Sequence, residues 1–504
     1  MVVQHNMQAA NANRMLNVTT SAQSKSTEKL SSGYRINRAA DDAAGLTISE
    51  KMRKQIRGLD QASTNAQDGV SSVQTAEGAL TEVHSMLQRM NELATQAANG
   101  TNSKDSDRQA IQDEIDQLTT EIDRVSETTK FNETYLLKGE AGTKTINMKA
   151  HDAGLKGTLT DNGDGTATFV MDTLNAGDKV SIGGKNYTIG GTSDDLDSAF
   201  GTNGLDINTN HQDISVNGTT YKYYADTVTT KDGNKITAGY YSADPSKLAD
   251  QTAATATGVD GKVTADLAAL KTNAPAGSTI TVGTKTVTLM KDDGTKGGTA
   301  SDGIDDTDTT VISKKKAYEL ASKELLKANQ IGDTKGSAKV GVGNTTTAID
   351  LTNGTGTFQI QTGSAEVANS LAFSLHVGAD ADMTNKIQVN IDAMDSASLG
   401  IKGLNVKDDS GNAATYAVDA ISDAISKVSS QRSSLGAVQN RLEHTINNLD
   451  NVVENTTTAE SRIRDTDMAE EMVNYSKNNI LAQAGQSMLA QANQSNQGVL
   501  SLLQ

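Results

Sequence analysis

Apolar residues recur in alternating steps of three and four along two consecutive stretches, 73–97 and 111–125. This spacing is typical of helices with one apolar stripe, the a/d seam of a coiled coil. Asn99-Gly100 predicts the end of the first helix, and 106–109 predicts a capping box that opens the second. The two helices are therefore predicted to form an αα-hairpin. An earlier helix is predicted from a stripe at Ile48, Met52, Ile56 and Leu59.

The C-terminal part of the chain has a seam of its own. Its apolar members are Ile421, Ile425, Val428, Leu435, Leu442, Ile446, Leu449 and Val453. Arg432 and Gln439 occupy positions where this seam would place an apolar residue. A seam needs a partner, and the N-terminal hairpin is the available one. An ordinary helical-bundle core explains these stripes without any further function.

Both extreme ends of the chain are amphipathic but nearly free of charge. No Lys, Arg, Asp or Glu precedes Arg14, and none follows Lys477. Apolar residues still recur there, at Met488, Leu489, Val499, Leu500, Leu502 and Leu503. A solvated helix normally carries charge on its polar face, whereas these faces are Gln, Asn and Ser. The pattern favours burial of the ends among other protein chains over simple frayed tails.

The middle of the chain changes to alternating apolar and polar residues around glycine turns. Residues 176–191 and 276–291 share the pattern AG-x-x-(V/I)-(S/T)-(I/V)-G-x-K-x-x-T-(I/L), which predicts two copies of one β-hairpin. A looser third copy begins at Ile214, and one helix is predicted around 313–332. The acid-rich run 292–310 lacks the spacing of an EF-hand, so a solvated loop is favoured over a Ca²⁺ site.

Composition excludes several classes of function. Hydrophobic residues make up 36% of the 504 and aromatic residues 3%, which fits long helices and small β-domains better than a large enzyme core. The net charge of -17 argues against nucleic acid as a partner, and the absence of cysteine excludes disulfides. No apolar stretch predicts a transmembrane helix, and the N-terminus does not resemble a secretory signal. These general signals alone predict a cytoplasmic protein.

The sequence offers no pattern for catalysis or metal binding. The six histidines form no helical i,i+4 pair, and HExxH, GxSxG, P-loop and Rossmann motifs do not occur. Asp41 and Asp42 are neighbours, and adjacent carboxylates rarely converge as acid–base catalysis requires. We therefore expect no enzyme activity, cofactor or metal. The segment is predicted instead to join two helices, with Gly33 and Gly45 relaxing the backbone on either side. The residues of this joint are Gly33, Tyr34, Arg35, Arg38, Asp41, Asp42 and Gly45.

Several of these stretches resemble bacterial flagellins. Residues 30–49, LSSGYRINRAADDAAGLTIS, resemble the N-terminal signature of the family, and residues 87–103 and 121–132 continue the match. Residues 461–504 resemble the C-terminal signature nearly throughout, and residues 375–391 resemble the β-hairpin that completes the inner domain. The resemblance covers about 1–155 and 370–504. Tyr34 stands where the family more usually has Leu, a change that would affect packing at the joint.

The resemblance implies a location and a set of partners. Flagellins leave the cell unfolded through the flagellar type III apparatus, which replaces the cytoplasmic prediction with an extracellular one. Their termini are disordered in the monomer and pair only inside the filament. The implied partners are other copies of the chain, an export chaperone at the C-terminal helix, the filament cap and junction proteins, and a Toll-like receptor of vertebrates. The receptor motif resembles Arg89, Leu93 and Glu114, and neither nucleic acid nor membrane insertion is expected.

The predicted fold class is multidomain α + β, with long coiled-coil-like helices from both termini packed together and a β-rich central variable region. Three domains are expected: 1–40 with 461–504 as a terminal helical domain, 41–155 with 370–460 as a helical-hairpin core with β-hairpins, and 156–369 as a variable outer region. The predicted function is the structural subunit of the flagellar filament. The alternatives are a hook–filament junction protein of the same family and a non-polymerising coiled-coil adaptor.

Overall fold

The computed structural model describes residues 6–101, 106–193, 195–200, 212–225, 227–229, 233, 239–241, 262–263, 274–292, 301–342, 356–408 and 411–501. The chain divides into two compact units. The first consists of Met1–Thr75, Ala372–Asn390 and Ser434–Gln504, and the second of Ala76–Leu371 and Ile391–Ser433. Each unit therefore combines residues from both halves of the sequence.

Long helices occupy the two ends of the chain, as the seams predict. The helices are α1 (Met7–Ser32), α2 (Ala43–Ala97), α3 (Asp107–Thr128), α4 (Asp195–Phe200), α5 (Lys314–Asn329), α6 (Ser396–Leu399), α7 (Asn412–Arg464) and α8 (Met468–Ser501). The Asn6 side chain caps the start of α1 by accepting from the Ala9 N–H at 3.0 Å. In the first unit α1 packs against α8. Asn6 Nδ2 donates to the Ala492 carbonyl, and Lys29 lies 3.6 Å from Glu471, so these two helices run antiparallel.

The predicted seams lie in the core. The fully buried members on α2 are Val73, Ala76, Leu80, Val83, Leu87, Met90, Ala94 and Ala97. The buried members on α3 and α7 are Ile111, Ile115, Ile122, Ile421, Val428, Leu435, Leu442 and Leu449. The half-buried members are Leu118, Val125, Ile425, Ile446 and Val453. The heptad interpretation of the sequence is therefore confirmed for the positions that decide helix pairing.

Two details of the helix prediction were wrong. The separate earlier helix does not exist, because α2 continues unbroken from Ala43 to Ala97. The glycines of this stretch sit inside the helix; at Gly69, for example, an added Cβ would lie 2.2 Å from Leu375. The capping box is also absent. Ser106 precedes α3 but forms no capping bond, and its hydroxyl donates to Asp107 Oδ1 at 3.0 Å.

Small sheets account for the β-rich part. Three of the sheets are two-stranded: β1 (Lys130–Phe131) with β2 (Thr134–Tyr135), β3 (Glu140–Asn147) with β17 (Ser364–Asn369), and β18 (Leu371–His376) with β19 (Lys386–Ile391). The four-stranded sheet has the order β15 (Lys339–Val342), β16 (Thr357–Gln361), β5 (Thr166–Met171), β4 (Gly157–Asp161). The three-stranded sheet has the order β14 (Val311–Ile312), β7 (Lys185–Ile189), β6 (Lys179–Ile182). The six-stranded sheet has the order β11 (Lys262–Val263), β10 (Gly239–Tyr241), β9 (Thr219–Tyr224), β8 (Ile214–Val216), β12 (Thr279–Val282), β13 (Lys285–Thr288).

The four-stranded sheet packs against α5 around a small aromatic cluster. The Phe358 ring lies 6.2 Å from that of Phe169 and 6.0 Å from that of Tyr318. These three side chains are among the largest fully buried ones in the chain. Two of the five phenylalanines of the chain therefore lie in this one core.

The predicted duplication is confirmed in the hydrogen bonding of two hairpins. The Gly177 N–H donates to the Ile189 carbonyl at 2.7 Å, and the Gly277 N–H donates to the Leu289 carbonyl at the same distance. Both glycines have positive φ, 86° and 90°, so the shared AG pattern records a conformational requirement. The third copy also forms a hairpin, β8–β9.

The described part of the acid-rich run, residues 301–310, is held by hydrogen bonds and is not simply a solvated loop. Residues 293–300 of the run lie outside the described part of the chain. Asp305, however, is buried, and its carboxylate accepts from the backbone N–H groups of Lys291, Thr307 and Asp308. This carboxylate therefore organises the turn that leads into β14.

Candidate functional site: the helix joint and the exposed helical surfaces

The joint after α1 is a backbone clasp between the two connections of the first unit. Gly33 ends α1 with φ 75°, and its carbonyl accepts from the Thr466 N–H at 3.0 Å. Tyr34 pairs antiparallel with Asp465, and the Arg35 N–H donates to the Arg464 carbonyl at 2.6 Å. The connection between α1 and α2 is thus held to the one between α7 and α8 by main-chain bonds.

Two arginines reinforce this clasp from opposite strands. The Arg35 guanidinium donates to the Ile463 carbonyl at 2.5 Å and the Arg462 carbonyl at 3.3 Å, where the last carbonyls of α7 lack helical partners. The Arg464 guanidinium donates to Glu50 Oε1 at 2.8 Å. That hydrogen bond lowers the pKa of the Glu50 carboxyl.

The acidic pair of the joint organises backbone. Asp41 Oδ2 accepts from the Arg38 N–H at 2.9 Å, and this bond is the largest cause of the lowered pKa of Asp41. Asp42 Oδ1 accepts from the Gly45 N–H at 2.9 Å, within the first turn of α2. The two carboxylates serve separate turns, which agrees with the prediction that they do not converge for catalysis.

Gly45 has a different role from the one predicted. It lies in the first turn of α2, whereas Gly33 has the positive φ that favours glycine. A Cβ at Gly45 would lie 2.4 Å from Asp42 Oδ2 and 2.8 Å from Ile36 Cδ1. Glycine is therefore required at position 45 by space, and at position 33 by backbone conformation.

The terminal helices expose large apolar side chains. The exposed ones on α1 and α8 are Met7, Met15, Val18, Met468, Met472, Val473, Ile480, Leu481 and Met488. Val473 is 68% exposed and Ile480 67%, and both line a shallow groove on α8. Leu489 is half-buried. Val499 and Leu500 continue α8, whereas Leu502 and Leu503 lie outside the described residues. Both terminal helices therefore expose large apolar side chains in a single chain.

The three candidate receptor residues are placed unequally in the second unit. Arg89 and Glu114 are exposed and joined by a hydrogen bond of 2.9 Å, which raises the pKa of the Arg89 guanidinium. Arg89 also donates to Glu92 at 3.1 Å. Leu93 is only 2% exposed, since it packs in the core beside the α2 seam. The resemblance placed Leu93 among the receptor contacts, but the structure places its side chain in the core and not on the surface of Arg89 and Glu114.

Sequence reasoning noted Arg432 as a polar interruption of the α7 seam but missed its partner. Arg432 donates to Glu77 Oε1 of α2 at 2.7 Å within the second unit. The acidic Glu77 beside the apolar seam of α2 was the feature of the sequence that could have indicated a partner for Arg432. Across the described ranges, no three His, Cys, Asp or Glu side chains are grouped to hold a metal ion. Nor does any helix described here have the length and apolar character to span a membrane.

Comparison with known proteins gives a consistent result over the whole chain. Residues 3–142 match the bacterial flagellin N-terminal helical region, and residues 418–503 match the C-terminal helical region. A flagellin of Clostridium tyrobutyricum is 37% identical over 505 residues, covering 99% of this chain and 100% of that protein. Flagellins of Salmonella typhimurium strain LT2 (36% identical, 97% and 96% covered) and Bacillus subtilis strain 168 (34% identical, 100% of both) are similar throughout. The chain therefore belongs to the bacterial flagellins, the structural, non-enzymatic subunits that build the extracellular filament of the flagellum.

Proposed function

We propose that α1 and α8 carry the polymerisation of this flagellin by burying their exposed apolar side chains against neighbouring copies. The observation behind the proposal is the set of exposed apolar residues on two helices whose outer ends, before Arg14 and after Lys477, carry no charged side chain. Each large apolar side chain that becomes buried contributes about 1.5–3 kcal/mol. Contacts of this kind that do not close on themselves extend as an open helical assembly. Residues 461–504 are further proposed to be mobile in the monomer and to become helical in the polymer.

The test uses a pair of substitutions in the groove on α8. Val473 and Ile480 are seven residues apart and so lie on one face. In the double variant Val473→Ser/Ile480→Ser the monomer should keep its helical content, while the concentration needed for seeded polymerisation rises at least about tenfold. Gln483→Ser, at an exposed polar position of the same helix, is the matched control. Polymerisation of the double variant at the parent concentration would refute the proposal.

The mobility of the ends is tested separately by NMR of the dilute monomer. Sharp signals with random-coil shifts from 461–504 are expected, and they should disappear on polymerisation. Rigid helical signals from these residues at low concentration would contradict the proposed disorder. They would leave the groove experiment unaffected.

The export chaperone, the filament cap and the junction proteins are proposed to bind the same terminal helices. The export chaperone is proposed to cover the apolar face of α8 before assembly, since that face is exposed in a single chain. The filament cap and junction proteins are proposed to meet the same terminal helices at the ends of the filament. One shared surface predicts that a purified chaperone inhibits seeded polymerisation. It also predicts that the chaperone no longer binds the Val473→Ser/Ile480→Ser variant. A chaperone that binds this variant as tightly as the parent would indicate a different surface.

Recognition by a Toll-like receptor is proposed for the Arg89–Glu114 surface. The exposed guanidinium and carboxylate are held in a fixed orientation by their hydrogen bond. Exposed ion pairs contribute only about 0.2–1 kcal/mol to stability, so Arg89→Ala should leave the fold intact while weakening receptor binding. Arg124→Ala, which removes a similar exposed pair with Glu121, is the control. Equal receptor binding by both variants and the parent would refute the assignment.

The proposed domain division keeps 1–40 with 461–504 and 41–155 with 370–460 as the parts needed for assembly, and 156–369 as the variable outer region. One pairing bears on its boundary: β17 lies before residue 370 but pairs with β3. Ser364–Asn369 is therefore best grouped with the core domain.

A further inference from the structure

Heptad seams by themselves leave the alignment of two helices poorly defined. On α7 the buried leucines Leu435, Leu442 and Leu449 are spaced seven residues apart. If α7 slides by seven residues along α2, each leucine takes the place of the next. Apolar burial changes little in such a slip, so polar contacts must distinguish the native register, as the Arg432–Glu77 bond does in the second unit.

Two buried serines on α2 provide such a feature in the first unit. Ser49 is 0% exposed, and its hydroxyl donates to Glu460 Oε1 at 3.0 Å. Ser63 is 7% exposed, and its hydroxyl donates to Asp450 Oδ1 at 3.1 Å. Both acceptors belong to α7. Arg464 of α7 also approaches the Ser49 hydroxyl at 3.5 Å.

These bonds differ from those of the neighbouring hydroxyls. Thr47 and Thr64 are exposed and donate to the carbonyl four residues earlier in their own helix. Such bonds carry no information about the partner helix. Ser49 and Ser63 donate across the interface instead, and their spacing of two heptads places them on one side of α2.

We propose that Ser49–Glu460 and Ser63–Asp450 set the register in which α2 pairs with α7. A slip of seven residues in one direction places Glu443 near Ser63 but Val453 near Ser49. The opposite slip places Asp467 near Ser49 but Thr457 near Ser63. Neither slip keeps both hydroxyls paired with carboxylates, so each shifted register loses at least one bond. A buried bond of ordinary strength corresponds to about a fivefold to tenfold change in an equilibrium constant.

The register matters because a regular polymer needs identical surfaces on every copy. A slip of seven residues moves one helix surface about 10 Å along the other, at 1.5 Å per residue. Subunits with shifted helices would fit neither their neighbours nor the growing end. Ser49, Ser63 and their acceptors are thus positioning residues for assembly, distinct from the apolar surface proposed above to make the contacts between copies.

Spin-label distances in the full-length monomer test the proposal, and the absence of native cysteine makes labelling clean. Labels at the exposed positions Gln67→Cys and Thr458→Cys are offset along the helix axes, so a slip changes their separation by nearly 10 Å. The parent should give one distance. Ser49→Ala/Ser63→Ala should add a second, shifted population, increased about fivefold to tenfold over the parent. Thr47→Ala/Thr64→Ala is the matched control and should keep one distance.

The acceptor side provides a second pair of variants. Glu460→Gln/Asp450→Asn keeps an acceptor oxygen at each position and should retain the parent distance. Glu460→Ala/Asp450→Ala should produce the shifted population. Circular dichroism verifies that each variant remains helical. A single parent-like distance in both alanine variants would overturn the proposal, as would a shifted population in the Thr47→Ala/Thr64→Ala control.

Discussion

The Arg464 guanidinium lies 4.8 Å from the centre of the Tyr34 ring, at the point where α1 and α8 join the rest of the first unit. The same guanidinium bonds Glu50 of α2, so one side chain connects the aromatic ring of the joint to the next helix. A leucine at position 34 would offer apolar contact but no π face. The tyrosine therefore adds a directional attraction to a joint that is otherwise held by backbone bonds.

Tyr34→Leu is expected to lower the free energy of unfolding by about 0.5–1 kcal/mol, because an exposed cation–π contact of this size is lost. Tyr34→Phe keeps the ring and should match the parent within about 0.3 kcal/mol. Urea unfolding of the assembled polymer, in which residues 461–504 and therefore Arg464 are proposed to be ordered, measures both. A larger loss in Tyr34→Phe than in Tyr34→Leu would show that the hydroxyl, and not the ring face, holds the joint.

Gly45→Ala is expected to destabilise by about 1–3 kcal/mol, since the new methyl group meets Asp42 Oδ2 and displaces the cap of α2. The matched change is Gly33→Ala, where nothing lies within 4 Å and only the positive φ opposes the substitution. That variant should lose about 1 kcal/mol, and Gly33→Asn less, because Asn tolerates this conformation. Equal effects of Ala and Asn at position 33 would count against the conformational explanation.

Asp333 should make the free energy of unfolding of the second unit depend on pH in the acidic range. Its carboxylate accepts from the N–H groups of Ala338, Ser364 and Lys335. Burial alone would raise the pKa of Asp333, but these bonds outweigh it and leave the pKa below the ordinary 3.8. A carboxyl whose pKa is lowered by folding stabilises the folded state at pH values above its unfolded-state pKa. That contribution disappears as the pH falls through the folded-state pKa.

Asp333→Asn should therefore lose about 1–3 kcal/mol near neutral pH, and the difference from the parent should shrink below about pH 4. Unfolding curves across pH 2–7 measure it. Asp161→Asn is a control at an exposed turn, where the carboxylate accepts one N–H. A difference between Asp333→Asn and the parent that stays constant down to pH 2 would contradict the assignment.

The outer region should be removable if the cut respects β17. The Met148 N–H donates to the Gly363 carbonyl at 2.8 Å, so the chain enters and leaves this region on adjacent strands. Joining residue 148 to residue 363 through Asn-Gly should give a hairpin and a thinner filament, visible by electron microscopy and pelleting. Removing 160–368 would delete β17 and leave β3 unpaired, and this version should assemble poorly. A folded 149–362 deletion that never grows on seeds would show that the outer region takes part in assembly.

The helices could be predicted well because their apolar seams repeat within a few turns. The seam positions between Val73 and Ala97 are buried, as the period predicts. The β3–β17 pairing could not be predicted, because the two strands are over 200 residues apart and the sequence of a short strand does not identify its partner. Leu93 was assigned to the receptor surface from a resemblance in sequence, which does not show whether a side chain is exposed, and it is buried. The cytoplasmic prediction was wrong, because flagellins act outside the cell, and full-length similarity to flagellins sets aside the junction and adaptor alternatives.

The matching bonds of Gly177 and Gly277 have a consequence for how the outer region changes over generations. The two hairpins are 100 residues apart and share a backbone pattern that needs only a glycine of positive φ and alternating side chains. A unit with so few sequence requirements can arise again by duplication, and each copy here pairs with a different neighbouring strand, β7 with β14 and β12 with β8. Recombination between the two copies would change the length of this β-rich region by the 100 residues that separate them, and the sequence of the helical seams would stay the same.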